Sequence, residues 1–284
     1  MTFMKIHELK NGGRYQRIIR KLKEIVMPVK RIVSWLKWYA LAPRSEIKLK
    51  KRVKTGEIVI IPAGFRCWTK GHIYNNLRVK QPSLPFDTGF FTPSAIASIL
   101  KNPRINLEYD DNNSTHFVCI KSEGYEDSAV GYGIKFERAS YSEINSLAIS
   151  RDMGDINRYL DDTFGYYTLD VKHNFVLAHY NWHKFSNNDK SNRIHDPKIN
   201  LERINEILNR RIQRMFKMCK SASYIFFIVG EFQEYQYMMI DDKYYDLNCF
   251  KEIINAAELA FNARCFVVKV ADVDSAAKLL AMID

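Results

Sequence analysis

The stretch "IVIIPAGFRCWTKGHIYNN", residues 58–76, decides the fold, because an apolar run passes through a glycine into a segment of helical composition. The run "EIVII" (57–61) is short, continuous and apolar, as strands buried within a sheet are. Gly64 permits a tight turn, and we expect a helix over residues 67–77. The stretch therefore predicts a strand–turn–helix unit with Cys67 in the first turn of the helix.

The rest of the chain continues this alternation of apolar strands and amphipathic helices. Strands are predicted at residues 115–120, 173–179, 223–231 and 264–272. Helices are predicted at residues 92–102, 199–220, 249–263 and 274–283, the first with Thr92 as its cap and Pro93 in its first turn. Because strands and helices alternate over the C-terminal third, we expect parallel strands joined by right-handed crossovers. The predicted fold class is α/β, a layered, mostly parallel sheet with flanking helices, preceded by a basic amphipathic N-terminal helix.

Composition excludes several classes of protein. With 46% hydrophobic residues in 284, the chain can bury a core and is not globally disordered. No stretch reaches 18 uncharged apolar residues, so we expect no membrane-spanning helix, and we expect no secretory signal. Neither GxxxxGK[ST] nor GxGxxG occurs, and no cofactor is predicted. The five cysteines have no CxxC spacing, which argues against disulfides or a zinc knuckle and for a reducing compartment. Four of them are expected in the core: Cys119, Cys219, Cys249 and Cys265.

Basic charge is concentrated at the N-terminus. Residues 1–55 hold 16 Lys and Arg against 3 Asp and Glu, a net +13, whereas the remaining 229 residues are at −2. We therefore divide the chain into a basic leader and linker, 1–55, and a single α/β domain, 56–284. Residues 44–57 are interpreted as a polar linker.

Within the leader, residues 14–39 form one apolar helical face between basic positions, with Pro28 as a kink and Trp35, Trp38 and Tyr39 near the end. Basic amphipathic helices with interfacial aromatic rings lie on anionic membrane surfaces. The alternative is a helix packed on the domain with solvated charges. No nucleic-acid-binding motif accompanies the charge, so a nucleic acid partner is not expected. The expected location is the cytoplasm, peripheral on the inner face of the membrane.

Cys67 has the setting of a reactive thiol. Unpaired N–H groups at a helix N-terminus favour an anion and lower a thiol pKa, and Arg66 would act in the same direction. A thiolate there is a candidate nucleophile. The alternative is a small side chain that only packs after a tight turn, as buried cysteines do.

The order strand–GxxC–helix, then "LRVKQPSLPFDTGFFT" (77–92), a later histidine, and the Arg210-Arg211 helix before "YIFFIVGE" resembles a bacterial family described as papain-like cysteine peptidases. The resemblance covers about residues 57–270 and excludes the leader. It implies Cys67 as nucleophile and His179 as base. It also implies an association with surface polysaccharide and glycan metabolism.

The chain departs from the family pattern at Tyr180, where an acidic residue would follow the histidine. His173 is therefore a competing match, and His183 lies one helical turn beyond His179. A cysteine–histidine pair works because imidazole can hold the thiolate and then protonate the leaving group.

Asp87 is the candidate carboxylate that orients the base, and Asp241 or Asp242 is the second choice for this role. Alternatively, Asp87 only caps a turn before Gly89. Arg66, Arg210 and Arg211 are candidates for contact with an anionic substrate, or are solvated. The three histidines lack an HExxH or facial carboxylate pattern, so no metal site is predicted.

The papain label conflicts with the predicted βα alternation, because a papain-like cysteine lies on a helix facing an antiparallel sheet. We give the alternation more weight. The predicted function is a cysteine-nucleophile hydrolase or acyltransferase acting on a peptide, an ester or a glycan acyl group. The alternatives are a glycosyltransferase using the DxD pair Asp272 and Asp274, or a non-enzymatic glycan- or anion-binding protein.

Overall fold

The computed structural model describes residues 43–64, 68–108, 119–127, 131–138, 166–177, 197–230 and 235–284. Contacts divide the chain into residues 1–48 and residues 49–284. The helices are α1 Arg44–Lys54, α2 Trp68–Leu77, α3 Pro93–Lys101, α4 Pro197–Cys219, α5 Lys251–Ala260 and α6 Ala276–Leu280. The strands are β1 Ile58–Gly64, β2 Gly89–Phe90, β3 Cys119–Asp127, β4 Gly131–Arg138, β5 Tyr166–Asp170, β6 Phe175–Leu177, β7 Tyr224–Gly230, β8 Tyr237–Ile240, β9 Lys243–Asp246 and β10 Arg264–Lys269.

A three-stranded parallel sheet in the order β1–β7–β10 forms the centre of the domain. β1 pairs with β7 from Ile58 opposite Tyr224 to Gly64 opposite Gly230, and β10 pairs with the other side of β7. All seven residues of β1 are buried. The continuous apolar runs predicted as buried parallel strands are confirmed, because both faces of this sheet are covered.

Helices cover the two faces of the parallel sheet. Odd-numbered residues of β1, such as Val59 and Ile61, pack in one core with α3, α4 and α5. Even-numbered residues, such as Ile58 and Ile60, pack in a second core with α2 and α6. Since successive strand residues point to opposite faces, this part of the chain is an α/β/α sandwich of three layers.

A second sheet corrects the prediction of a mostly parallel fold. Its described strands have the order β2–β6–β5–β3–β4–β8–β9, and every pair is antiparallel except β4 with β8. A two-residue turn, Asp241–Asp242, joins β8 to β9, and Asp241 has a φ of +52°, as hairpin turns of this length require. The protein is therefore mixed α/β, with one parallel sheet and one largely antiparallel sheet.

The interpretation of residues 44–57 as a polar linker is wrong over most of its length, because Arg44–Lys54 is helix α1. Leu49 is fully buried and Val53 packs against the same core one turn later. Two apolar residues at i and i+4 anchor this helix on one side. Arg52, whose side chain is only 15% exposed, adds ion pairs with Glu57 and Asp284.

Within the described residues, no helix is both long and apolar enough to span a membrane. The predicted amphipathic helix at residues 14–39 lies outside the described residues.

Candidate functional site

Two glycines lie side by side at the carboxyl ends of β1 and β7. Gly64 pairs with Gly230, and Gly64 has a φ of +89°. A Cβ atom on Gly64 would lie 2.6 Å from the carbonyl oxygen of Gly230, and one on Gly230 would overlap Oγ1 of Thr69. The strand ends are therefore bare backbone, with peptide groups close to the neighbouring helix.

This pair of strand ends lies at the carboxyl edge of the parallel sheet, whose order β1–β7–β10 follows the chain without reversal. From β1 the chain enters α2, which belongs to one face of the sheet, whereas the helix that follows β7, after the β8–β9 hairpin, is α5 on the other face. In open α/β sheets, ligands bind outside the carboxyl ends of the strands. We call the surroundings the strand-end site and define it by Gly64, Thr69, Lys70, Asp87 and Gly230.

The first turn of α2 is fixed against the end of β1. The hydroxyl of Thr69 is fully buried and donates to the carbonyl oxygen of Ala63 at 3.2 Å. Trp68, the first residue of the helix, is 52% exposed, and its ring is next to Gly230. An immobile helix start with an exposed indole beside it forms one wall of the site.

A partly buried ion pair forms the other wall. Nζ of Lys70 donates to Oδ2 of Asp87 at 2.9 Å and also to the carbonyl oxygen of Pro82. Oδ2 of Asp87 accepts a second bond from the backbone N–H of Leu84 at 3.0 Å. The other oxygen, Oδ1, is buried and has no hydrogen-bond partner among the residues that the structure describes. Buried carboxylate oxygens are seldom left unpaired, so Oδ1 is an available acceptor within the site.

Three of the residues predicted for the site, Arg66, Cys67 and His179, lie outside the described residues, as does His183. The described chain of β1 ends at Gly64 and resumes at Trp68, the first residue of α2. The covalent chain therefore joins Cys67 directly to the helix start that Thr69 fixes.

His173, the competing histidine, is a buried structural residue in this fold. Its Nδ1 lies 2.8 Å from Oγ of Ser98, and its Nε2 lies 3.1 Å from the carbonyl oxygen of Arg104. A carbonyl oxygen can only accept, so Nε2 carries the proton and Nδ1 accepts from the serine hydroxyl. Both ring nitrogens are engaged in linking α3 to the β5–β6 turn.

Three of the cysteines predicted in the core have described side chains. Cys219 and Cys265 are buried as predicted, and burial raises the pKa of the Cys219 thiol to about 12 and that of Cys265 to about 11. Cys249 is only half-buried, so the prediction is wrong there, because the helix begins two residues later, at Lys251. The side chain of Cys119, in β3, is not described.

The alternative acidic candidates lie elsewhere. Asp241 and Asp242 form the β8–β9 turn of the second sheet. Asp274 is exposed and pairs with Lys278 at 2.8 Å, a hydrogen bond that lowers the pKa of its carboxyl group. Among the residues that the structure describes, no group of three potential metal ligands occurs.

Arg210 and Arg211, adjacent in α4, lie on different faces of the helix. Arg210 is exposed and lines a cleft with residues 103–106, whereas Arg211, about 100° further around the axis, is half-buried. Arg214, which no sequence motif singled out, donates from Nη1 to the carbonyl oxygen of Ser83 at 2.8 Å. The hydroxyl of Ser83 is in turn 3.5 Å from Nζ of Lys70. The spacing of Arg210 and Arg214, one turn apart, could have indicated a continuous basic face.

Compared with known protein families, with curated proteins and with solved structures, the chain gives no match.

Proposed function

We propose that the protein is a hydrolase or acyltransferase that uses Cys67 as its nucleophile. The observation that carries this proposal is the strand-end site itself: two bare glycine strand ends at the carboxyl edge of the parallel sheet, beside a partly buried Lys70–Asp87 pair in which one carboxylate oxygen has no partner among the described residues. Cys67 belongs to the three-residue segment that connects Gly64 to α2. That connection is where α/β enzymes present groups to a ligand.

The proposed chemistry is acyl transfer. The thiolate of Cys67 attacks the carbonyl carbon of an ester or amide, and the carbon–heteroatom bond breaks as His179 protonates the leaving group. Backbone N–H groups near residues 65–68 stabilise the oxyanion. Water, or a hydroxyl group of an acceptor, then attacks the thioester and regenerates the thiol. Lys70 and the α2 N-terminus favour the thiolate electrostatically, and the open oxygen of Asp87 is an acceptor for a proton-bearing group.

The test is the alkylation rate of each cysteine in the native protein between about pH 4 and pH 9, followed by mass spectrometry. Cys67 should react fast, with an apparent pKa below the roughly 8.5 of a free thiol, while Cys219 and Cys265 remain unreacted. His179→Ala should raise that pKa, and Cys249→Ser serves as the matched control. Reaction of Cys67 as slow as that of the two buried thiols would refute the proposal.

Assays of variants of this protein distinguish the alternative functions. Loss of esterase activity in Cys67→Ser with retained folding supports the nucleophile. Metal-dependent binding of a sugar nucleotide that Asp272→Asn abolishes would support a glycosyltransferase instead. Anion binding at the strand-end site that survives Cys67→Ala, without any turnover, would support a non-enzymatic binding protein.

We further propose that residues 14–39 hold the protein on the cytoplasmic face of an anionic membrane, where a glycan or acylated substrate would be met. Each basic residue near such a surface contributes about 1 kcal/mol. Sedimentation with vesicles containing phosphatidylglycerol should exceed that with phosphatidylcholine alone, and Lys21→Glu with Lys23→Glu should reduce it. Equal sedimentation with both vesicles would refute the membrane proposal and leave the catalytic one untouched.

A further inference from the structure

A second site is formed where the chain after α3 lies along α4. A cleft of about 650 Å³ separates the two, a size typical of small-molecule sites. Its lining is polar, and we call it the arginine cleft. The residues used in the argument are Arg104, Asn106, Asn205, Asn209, Arg210 and Gln213.

One wall of the arginine cleft is held by a ladder of asparagines. The side chain of Asn209 accepts from the N–H of Ile105 at 2.9 Å and donates to its carbonyl oxygen at 2.7 Å. Asn205, one helical turn earlier, does the same with Leu107 at 2.7 and 2.9 Å. Ile105 and Leu107 are buried in the core. The extended segment is therefore fixed to α4 before any ligand binds, and a preorganised site loses less entropy on binding.

Within the described part of the chain, the two guanidinium groups of the cleft have no anionic partner. Arg104 and Arg210 make no ion pair with a carboxylate among the described residues, although Glu206 also lines the cleft. Nε of Arg210 donates to the backbone carbonyl of Glu206 at 3.3 Å, which leaves its terminal N–H groups available. The backbone of Arg104 is fixed by the bond from His173 to its carbonyl oxygen. Two such forks match a carboxylate or a phosphate group.

The other lining groups suit hydroxyls. Carboxamides both donate and accept, and each ladder asparagine retains one N–H and one lone pair beyond its two backbone bonds. Asn106 and Gln213 are exposed on the same cleft. A ligand that pairs with arginine through an anionic group and with amides through several hydroxyls is a carboxylated or phosphorylated sugar.

We propose that the arginine cleft binds an anionic sugar, with Arg104 and Arg210 on its carboxylate or phosphate and the amides on its hydroxyls. The cleft is distinct from the strand-end site, and binding there does not depend on Cys67. It is nevertheless one helical turn from Arg214, whose contact with Ser83 leads to Lys70.

The test is titration of the full-length Cys67→Ala protein with D-glucuronic acid, D-glucose 6-phosphate, D-glucose and inorganic phosphate, followed by calorimetry and by NMR of the asparagine side-chain amides. An anionic sugar should bind at least about tenfold more tightly than glucose, and should shift the amide signals of Asn205 and Asn209. Whichever of the carboxylated and phosphorylated sugars binds more tightly identifies the anionic group.

Arg104→Gln with Arg210→Gln should weaken that binding about tenfold or more. Lys217→Gln with Lys220→Gln removes the same charge from the end of α4 and the residue after it, outside the cleft, and should leave binding unchanged. Equal weakening by both pairs would overturn the site in favour of general charge attraction. If inorganic phosphate binds as tightly as glucose 6-phosphate, the cleft recognises only the anionic group, and the proposal that it binds a sugar is refuted. Absence of binding at about 10 mM ligand, a concentration that detects even weak complexes, would overturn the whole proposal.

Discussion

Lys70 and Asp87 meet around the end of β1 from opposite faces of the parallel sheet. Lys70 belongs to α2, whose apolar side packs in one core, whereas the turn that carries Asp87 packs through Leu84 and Phe86 in the other. Their 2.9 Å ion pair therefore joins the two helical layers at the strand ends. The same pair supplies the charged groups of the strand-end site, so the stability of the fold and the chemistry of the site depend on the same contact.

Removing Lys70 should destabilise the folded protein, because Asp87 then remains buried without a cation. Lys70→Met leaves Asp87, only 5% exposed, without its cation, and should lower the free energy of unfolding by about 2–4 kcal/mol. Lys70→Met with Asp87→Leu should cost less than the sum of the single changes, since no unpaired charge remains. Urea unfolding measures all three variants.

An exposed ion pair is the control for this cycle. Lys278→Met breaks the pair with Asp274, in which both side chains are more than half exposed, and should shift the urea midpoint far less than Lys70→Met does. Additive losses for Lys70 and Asp87 would show that the pair does not couple the layers.

Glycine substitutions in the strand–turn–helix unit should have opposite signs. Gly64→Ala introduces a Cβ at φ +89° and 2.6 Å from a backbone oxygen, and should lower the free energy of unfolding by at least about 2 kcal/mol. Gly71→Ala, inside α2 with open space around its Cβ, should raise it by about 0.5–1 kcal/mol. Thermal unfolding of both variants is the measurement. A neutral Gly64→Ala would mean that the strand end relaxes without cost.

Replacing either asparagine of the ladder should destabilise the protein, although neither residue is hydrophobic. Asn209→Ala removes both partners of the buried Ile105 backbone and should cost about 2 kcal/mol, and Asn205→Ala should cost about the same. Gln213→Ala, on the next turn of the helix, should change stability by less than about 0.5 kcal/mol. Urea unfolding distinguishes the three, and equal effects at positions 209 and 213 would refute the ladder.

The sequence is sufficient for the parts of the fold in which one local signal dominates. The runs of β1, β7 and β10 are apolar on both faces, and Thr92 caps α3 by accepting from the N–H of Ala95 as predicted. In the second sheet, β6 lies within the strand predicted at residues 173–179, and β3 begins within the one predicted at 115–120. Strands β4, β5 and β9 were missed because they mix polar and aromatic residues, as in "KYYD" of β9, where a single residue is buried. Segments with such weak alternation form strands because they pair with neighbouring strands, which the local sequence does not show.

The candidate site divides in the same way. Asp87 was predicted as part of a site and Gly64 as a tight turn, since an acidic turn and a glycine after a strand are local features. The pairing of Asp87 with Lys70 and of Asn209 with Ile105 depends on contacts 17 and 104 residues apart along the chain. Periodicity shows which face of α4 is apolar, but not which extended segment its amides will meet.

Asp170 should make stability depend on pH. Burial, its largest influence, raises the folded-state pKa of this carboxyl group, although a bond from the N–H of His173 opposes the shift, and its Oδ2 has no hydrogen-bond partner among the described residues. A raised pKa means that the folded state binds the proton more tightly. Its stabilising effect is therefore full below the unfolded pKa of about 3.9 and is lost as the pH rises through the folded pKa.

Asp170→Asn keeps an acceptor for the N–H of His173 and removes the ionisable group. The variant should therefore gain stability relative to the wild type as the pH rises from about 3.5 to 7, measured by urea midpoints at low salt. Asp274→Asn should show the opposite trend, because Lys278 lowers the pKa of Asp274 and its contribution is lost as the pH falls. Parallel pH profiles for wild type and Asp170→Asn would show that the buried carboxylate is not protonated more readily in the folded state.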